Sequence, residues 1–167
     1  MDHLYDTVRV HEFLAHEAEL LDAGNLTGWL ELLTEDIRYL APVRSTRYGR
    51  HENEFSSTSF HFEEDHYSLT MRIRRLDTKF AWAEDPPTRT RHLIGNVRVL
   101  ERGAAEVVAS SAFMLYRSRL DEPTGEMLTG RRRDVLREDS LGGLRLADRL
   151  VLVDQTTLPV STLSTFL

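Results

Sequence analysis

The feature that most constrains this chain is a change of hydrophobic period part-way along it. Near the start, Val10, Phe13, Leu14, Ala18 and Leu21 recur at helical spacing and form one apolar stripe. From about residue 89 the period drops to two. Residues 89 to 101, 105 to 119, 126 to 138 and 144 to 155 alternate apolar and polar positions. Their separators are turn formers: Arg102-Gly103, Asp121 to Gly125 and Gly142-Gly143. Sequential long strands with short connections form antiparallel meanders. Helices followed by such a sheet define an α+β domain, with the helices on one sheet face. A sheet that curls round them makes a cone whose interior can be a pocket.

The helical half resolves further. Asp6 or Thr7 can cap the first helix, and Gly24-Asn25 closes it. A short second helix turns Leu26, Trp29, Leu30 and Leu33 inward despite Gly28, which costs about 1 kcal/mol of helix propensity relative to alanine. Asp36 to Val43 reads as a strand, and Pro42 marks it as short or at an edge. The polar stretch 44 to 64 reads as a long loop, and long loops in compact domains usually act as lids or partner contacts. After Asp65, the spacing of Leu69, Ile73 and Leu76 predicts a helix to about Asp77. Nothing divides the chain, so residues 1–167 are expected to form one domain.

Composition removes several functions. The sequence contains no cysteine, so it can supply neither disulfides, nor a thiolate nucleophile, nor cysteine ligands to zinc or an iron–sulfur cluster. A formal net charge of −6 argues against a nucleic-acid partner. No apolar run is long enough to span a bilayer, and the first residues lack a basic, then apolar, export signal. A cytoplasmic protein without membrane attachment is the expectation.

Several residues could carry chemistry, and most also have plainer roles. His61 and His66 flank Glu63, Glu64 and Asp65, the right ligand types for a metal, but the same carboxylates suit a helix N-terminus. Asp36, Tyr39, His92 and Asn96 lie on predicted strands and could meet inside the cone, an acid–base set for an isomerase or dehydratase near His92; the plainer reading is that Tyr39 packs in the core and His92 satisfies a backbone group. Arg131, Arg132 and Arg133 alternate faces, either on a solvated sheet face or as an ion-paired subunit contact. No nucleophile elbow or phosphate-binding glycine loop occurs.

The segment Phe80 to Val97 stands apart. It joins an aromatic pair, Phe80 and Trp82, to a stiff Asp85-Pro86-Pro87 turn and then to Arg89 and Arg91 on one strand face. Ala81, Trp82, Ala83, Glu84, Pro86, Arg89, Thr90, Arg91, His92, Asn96 and Val97 follow the A-W-A/S-E-x-P-x-x-R-T-R-H-x-x-x-N-V pattern. That pattern resembles the β subunits of Rieske-type aromatic-ring-hydroxylating dioxygenases. Phe13 to Asp22, Trp29 to Arg44, Phe113 to Arg119, Leu152 to Gln155 and Leu163 to Leu167 resemble other parts of that family in the same order. Gly95, where serine is common, and a modest N-terminal extension are the departures.

The resemblance implies a cystatin-like, ketosteroid-isomerase-like cone with a curved antiparallel sheet packed on N-terminal helices. It implies a non-catalytic structural subunit, with no catalytic, metal or cofactor residue of its own. A Rieske 2Fe-2S cluster and a mononuclear iron are expected on a large α subunit, in an α3β3 hexamer that converts arenes to cis-dihydrodiols. Trp82, Glu84, Asp85, Arg89, Arg91 and His92 are the expected subunit-interface residues, with the 44–64 loop and the strand arginines contributing.

Overall fold

The computed structural model describes residues 2–45, 54–76, 88–119, 123–158 and 165–167. Helix α1 runs Asp2–Asp22, α2 Leu26–Glu31 and α3 His66–Leu76. The strands are β1 Leu33–Arg44, β2 Phe55–Asp65, β3 Arg89–Arg102, β4 Glu106–Ser118, β5 Glu126–Glu138 and β6 Leu144–Val153. They form one six-stranded sheet in the order β2-β1-β6-β5-β4-β3. β3 to β6 meander back across the sheet, so β6 closes against β1 in parallel, while every other pairing is antiparallel. The meander follows the period-two pattern, and the parallel pairing joins its last strand to β1.

Local chemistry sets the boundaries. Gly24 takes φ +69°, a left-handed conformation that only glycine adopts freely, and it ends α1. The Asn25 side chain then accepts from Gly28 N at 3.0 Å, capping α2. Asp65 and Ser68 cap α3 reciprocally: Ser68 N donates to Asp65 Oδ1 at 2.8 Å and Asp65 N to Ser68 Oγ at 2.9 Å. Bulges in the β1–β2 and β3–β4 ladders bend the strands, and Asn96, at φ +51°, lies in one of them.

The helices share one sheet face, and there the core forms. Ile37, Tyr39 and Ala41 of β1 meet Phe113 and Leu115 of β4, Leu128 and Leu136 of β5, and Val151 and Val153 of β6, all buried. Alternation along each strand placed them there.

Four expectations change. Helix α1 begins at Asp2, because Asp6 is a buried partner of Arg9 and Arg102 instead of a cap. Leu33 opens β1 and does not belong to α2. Pro42 does not mark an edge: β1 lies between β2 and β6, and the ladder accommodates the missing N–H at a register shift. The stretch read as a loop contains the strand β2, held by its ladder to β1 although its own sequence is polar. Residues 46–53 lie outside the described residues.

Candidate functional site

The interior of the cone is occupied by ions and by the last residues of the chain. Glu17 stands on the apolar stripe of α1, one turn beyond Phe13 and Leu14, and so points into the core. Arg132, Asp134 and Arg149 occupy inward positions of β5 and β6. Arg149 is fully buried and bridges both carboxylates: Nη1 and Nη2 donate to Glu17 Oε1 and Oε2 at 2.7 and 2.8 Å, and Nε and Nη2 to Asp134 at 2.8 and 3.0 Å. Arg132 adds a contact to Glu17 Oε2 at 3.2 Å, and Trp29 Nε1 donates to Glu17 Oε1 at 3.1 Å.

Two arginines face two side-chain carboxylates in this buried cluster. Burial alone would push the Glu17 carboxyl up; Arg149 and Arg132 outweigh it and hold the pKa below that of an ordinary glutamate. Burial and the neighbouring Arg149 lower the pKa of Arg132, whereas for Arg149 Asp134 and Glu17 overcome burial and raise it. A buried pair of this kind is costly to break, since the surviving partner is left as an uncompensated charge.

Phe166 and Leu167 fill the adjoining space. The Phe166 ring stacks on Trp29 with centroids 4.4 Å apart, and the Arg72 guanidinium lies 4.8 Å from its centroid. Tyr39 Oη donates to the Leu167 carbonyl and accepts from Leu167 N at 2.8 Å. Burial drives the Tyr39 phenol pKa upward, keeping it a donor. His92 Nε2 lies 3.1 Å from the Phe166 carbonyl, while its Nδ1 sits 2.6 Å from Asp22 Oδ1 at the end of α1.

These contacts decide the fate of the sequence candidates. Asp36, Tyr39, His92 and Asn96 do not assemble into a catalytic set. Asp36 is exposed and paired with Arg137, Tyr39 and His92 hold the tail, and Asn96 shapes a bulge. His92, expected at a subunit interface, has a side chain only 1 % exposed that clamps α1 to the tail. Arg89 and Arg91 stand on the exposed face of β3, with Arg91 Nη1 3.4 Å from Asp22. Trp82, Glu84 and Asp85 lie outside the described residues. Arg132, read as solvated or as a subunit contact, is instead a buried partner of Glu17 within its own chain. Around His61 and His66 the carboxylates have other work: Asp65 caps α3 and Glu64 pairs with Arg72. Among the described residues, no group of three or more histidines and carboxylates is arranged to hold a metal ion.

Outside the cone, the opposite sheet face is apolar in part. Leu93 pairs with Met114, and Tyr116 with Met127, and all four are 40 to 61 % exposed. Arg89, Arg91, Arg131 and Arg133 share this side. Large apolar groups with arginine about them are the composition of a protein–protein contact.

Comparison with known proteins agrees with the sequence pattern. Residues 16–160 match the profile of the ring hydroxylating beta subunit family. The β subunit of benzene 1,2-dioxygenase from Pseudomonas putida is 38 % identical over 162 residues, covering 94 % of this chain and 86 % of that protein. The β subunit of N,N-dimethyl phenylurea N-demethylase from a Sphingobium species is 36 % identical over 167 residues, covering 98 % and 93 %. A naphthalene 1,2-dioxygenase structure with indole in its active site superposes with a TM-score of 0.81 at 22 % identity, covering 94 % of this chain and 83 % of its counterpart. That last likeness bears on the fold alone.

Proposed function

The chain belongs to the ring-hydroxylating β-subunit family, and from that premise we propose that it is a non-catalytic assembly subunit whose oxygenase partner carries all of the iron chemistry. The observation that carries this reading is the filled cone. The space where related shapes could hold a substrate contains Phe166, Leu167 and an ion-paired cluster. The sequence has no cysteine, so the two cysteine ligands of a Rieske cluster must come from another polypeptide.

The relatives support the same division of labour. Small subunits of a benzene dioxygenase and of a phenylurea N-demethylase are about equally similar to this chain. One scaffold serving two different oxidations leaves the choice of substrate to the large subunit. In the proposed assembly three copies of each chain form a hexamer in the cytoplasm, and arenes leave as cis-dihydrodiols. The basic and apolar face of β3 to β5 and the 80–92 segment, with Trp82, Glu84, Asp85, Arg89 and Arg91, contact partner subunits. His92 supports that surface from within.

The test is to purify this chain and its cognate large subunit separately and assay each for bound iron and for NADH-coupled arene oxidation, then mix them. Iron and turnover are expected only where the large subunit is present. Turnover by the small chain alone would overturn the proposal, and isomerisation or dehydration of a small carbonyl compound would favour the pocket-enzyme alternative.

A further inference from the structure

Three arginines on the outer sheet face stand without a counter-charge. Strand register sets Arg133 of β5 opposite Ser110 of β4, and Ser110 opposite Arg98 of β3. Two residues along, Arg131 faces Ala112, and Ala112 faces Gly95. Arg98, Arg131 and Arg133 are exposed, and among the described residues none of them has an ion pair or a side-chain hydrogen bond. Elsewhere on the sheet the charges are matched: Arg137 pairs with Asp36 and Glu106, and Arg38 with Asp148. Positive charge is thus left over in one place, on a chain whose formal net charge is −6. Gly95, Ser110 and Ala112 present little or no side chain between the arginines, which leaves a shallow trough. Neighbouring strands lie about 4.8 Å apart, so β3 and β5 set its banks about 10 Å apart, the width of one polypeptide segment.

We propose that this trough seats an acidic segment of the large subunit, with two carboxylates about 7 Å apart set against Arg131 and Arg133. The proposal rests on the assembly role given above and adds to it the chemistry of the partner surface. Same-face positions two residues apart on a strand fix the spacing, and guanidinium groups bind carboxylates bidentately. The exposed pairs Leu93–Met114 and Tyr116–Met127 lie beside the trough, so the charged contact is continuous with an apolar one. The large subunit is the assigned occupant, because two copies of a chain of net charge −6 repel each other at long range.

The experiment is calorimetric titration of this chain with its cognate large subunit over a range of sodium chloride concentrations. Arg133→Glu is expected to weaken binding about ten-fold at low salt, and the pair Arg131→Glu and Arg133→Glu about a hundred-fold, with a flatter salt dependence than the parent. Arg74→Glu, the same charge change at an exposed position of α3, should stay within about two-fold of the parent. The pair Arg131→Gln and Arg133→Gln gives the same comparison if the glutamate variant loses its far-ultraviolet dichroism. Parent-like binding by folded Arg131 and Arg133 variants would overturn the proposal and leave the assembly role standing. A loss equal to that of Arg74→Glu would overturn it too, since only long-range charge would then matter. Self-association of the parent chain that the Arg131 and Arg133 variants abolish, with large-subunit binding unchanged, would give the trough to a second copy. A parent chain that does not bind the large subunit at all would overturn the assembly role, and this proposal with it.

Discussion

Glu17 is the residue on which the interior turns. It receives Trp29 from α2, Arg132 from β5 and Arg149 from β6, so one carboxylate ties the first helix to the centre of the sheet. Replacing it with glutamine leaves two buried guanidinium groups facing one carboxylate, and a loss of about 3–5 kcal/mol is expected in urea unfolding. Its pKa is lower in the folded chain than in the unfolded one. The stabilisation is therefore complete above the unfolded value of 4.5 and is lost as pH falls from there through the lower folded value. Stability measured against pH should fall on the acid side of about 4.5, and Glu17→Gln should flatten that fall. Tyr39→Phe removes the two hydrogen bonds to Leu167 and should cost about 1–3 kcal/mol, with far-ultraviolet dichroism unchanged. The sequence carried a signal for this cluster: a carboxylate on the apolar stripe of α1, and charged residues at inward positions of β5 and β6. Which charge met which depended on strand register, and periodicity does not reveal that.

Among the elements, those with strong local patterns were legible and those held by neighbours were not. α3 shows its apolar spacing and its Asp65 cap in the sequence, and β3 to β6 show alternation and turn residues. β2 shows neither clearly: its serines, threonine and carboxylates read as loop, and its conformation comes from pairing with β1. The parallel β1–β6 contact joins residues far apart in the chain, so local pattern could not report it. At Gly130 of β5, a Cβ would lie 2.4 Å from the Leu152 carbonyl and 2.7 Å from Phe113 Cε1. Gly130→Ala should destabilise the chain by about 1–3 kcal/mol through overpacking, a shift that thermal unfolding can read. A comparable change at Gly95, where a Cβ meets nothing within 4 Å, serves as the control.

At the scale of the whole molecule, the two sheet faces divide the work. The inner face is sealed by helices, ions and tail; the outer face of β3 to β5 leaves Leu93, Met114, Tyr116 and Met127 exposed beside arginines. The pattern in the 80–97 segment made the family legible, and the display of Arg89 and Arg91 followed from alternation. The inward turn of His92 was legible too, as its opposite face, yet its burial by Asp22 and Phe166 required the tertiary fold. Arg91→Ala should weaken assembly with the large subunit while the isolated chain keeps its dichroism and melting temperature to within the effect of one surface ion pair, about 0–1 kcal/mol. Unchanged complex yield would remove Arg91 from the interface. The central claim, that this chain is a structural partner in an oxygenase, is tested most directly by light scattering after size-exclusion chromatography of the chain co-expressed with its large subunit. A single species containing both chains in equal numbers, with a mass matching three of each, is the predicted result. Separate elution of the two chains at micromolar concentration would contradict it.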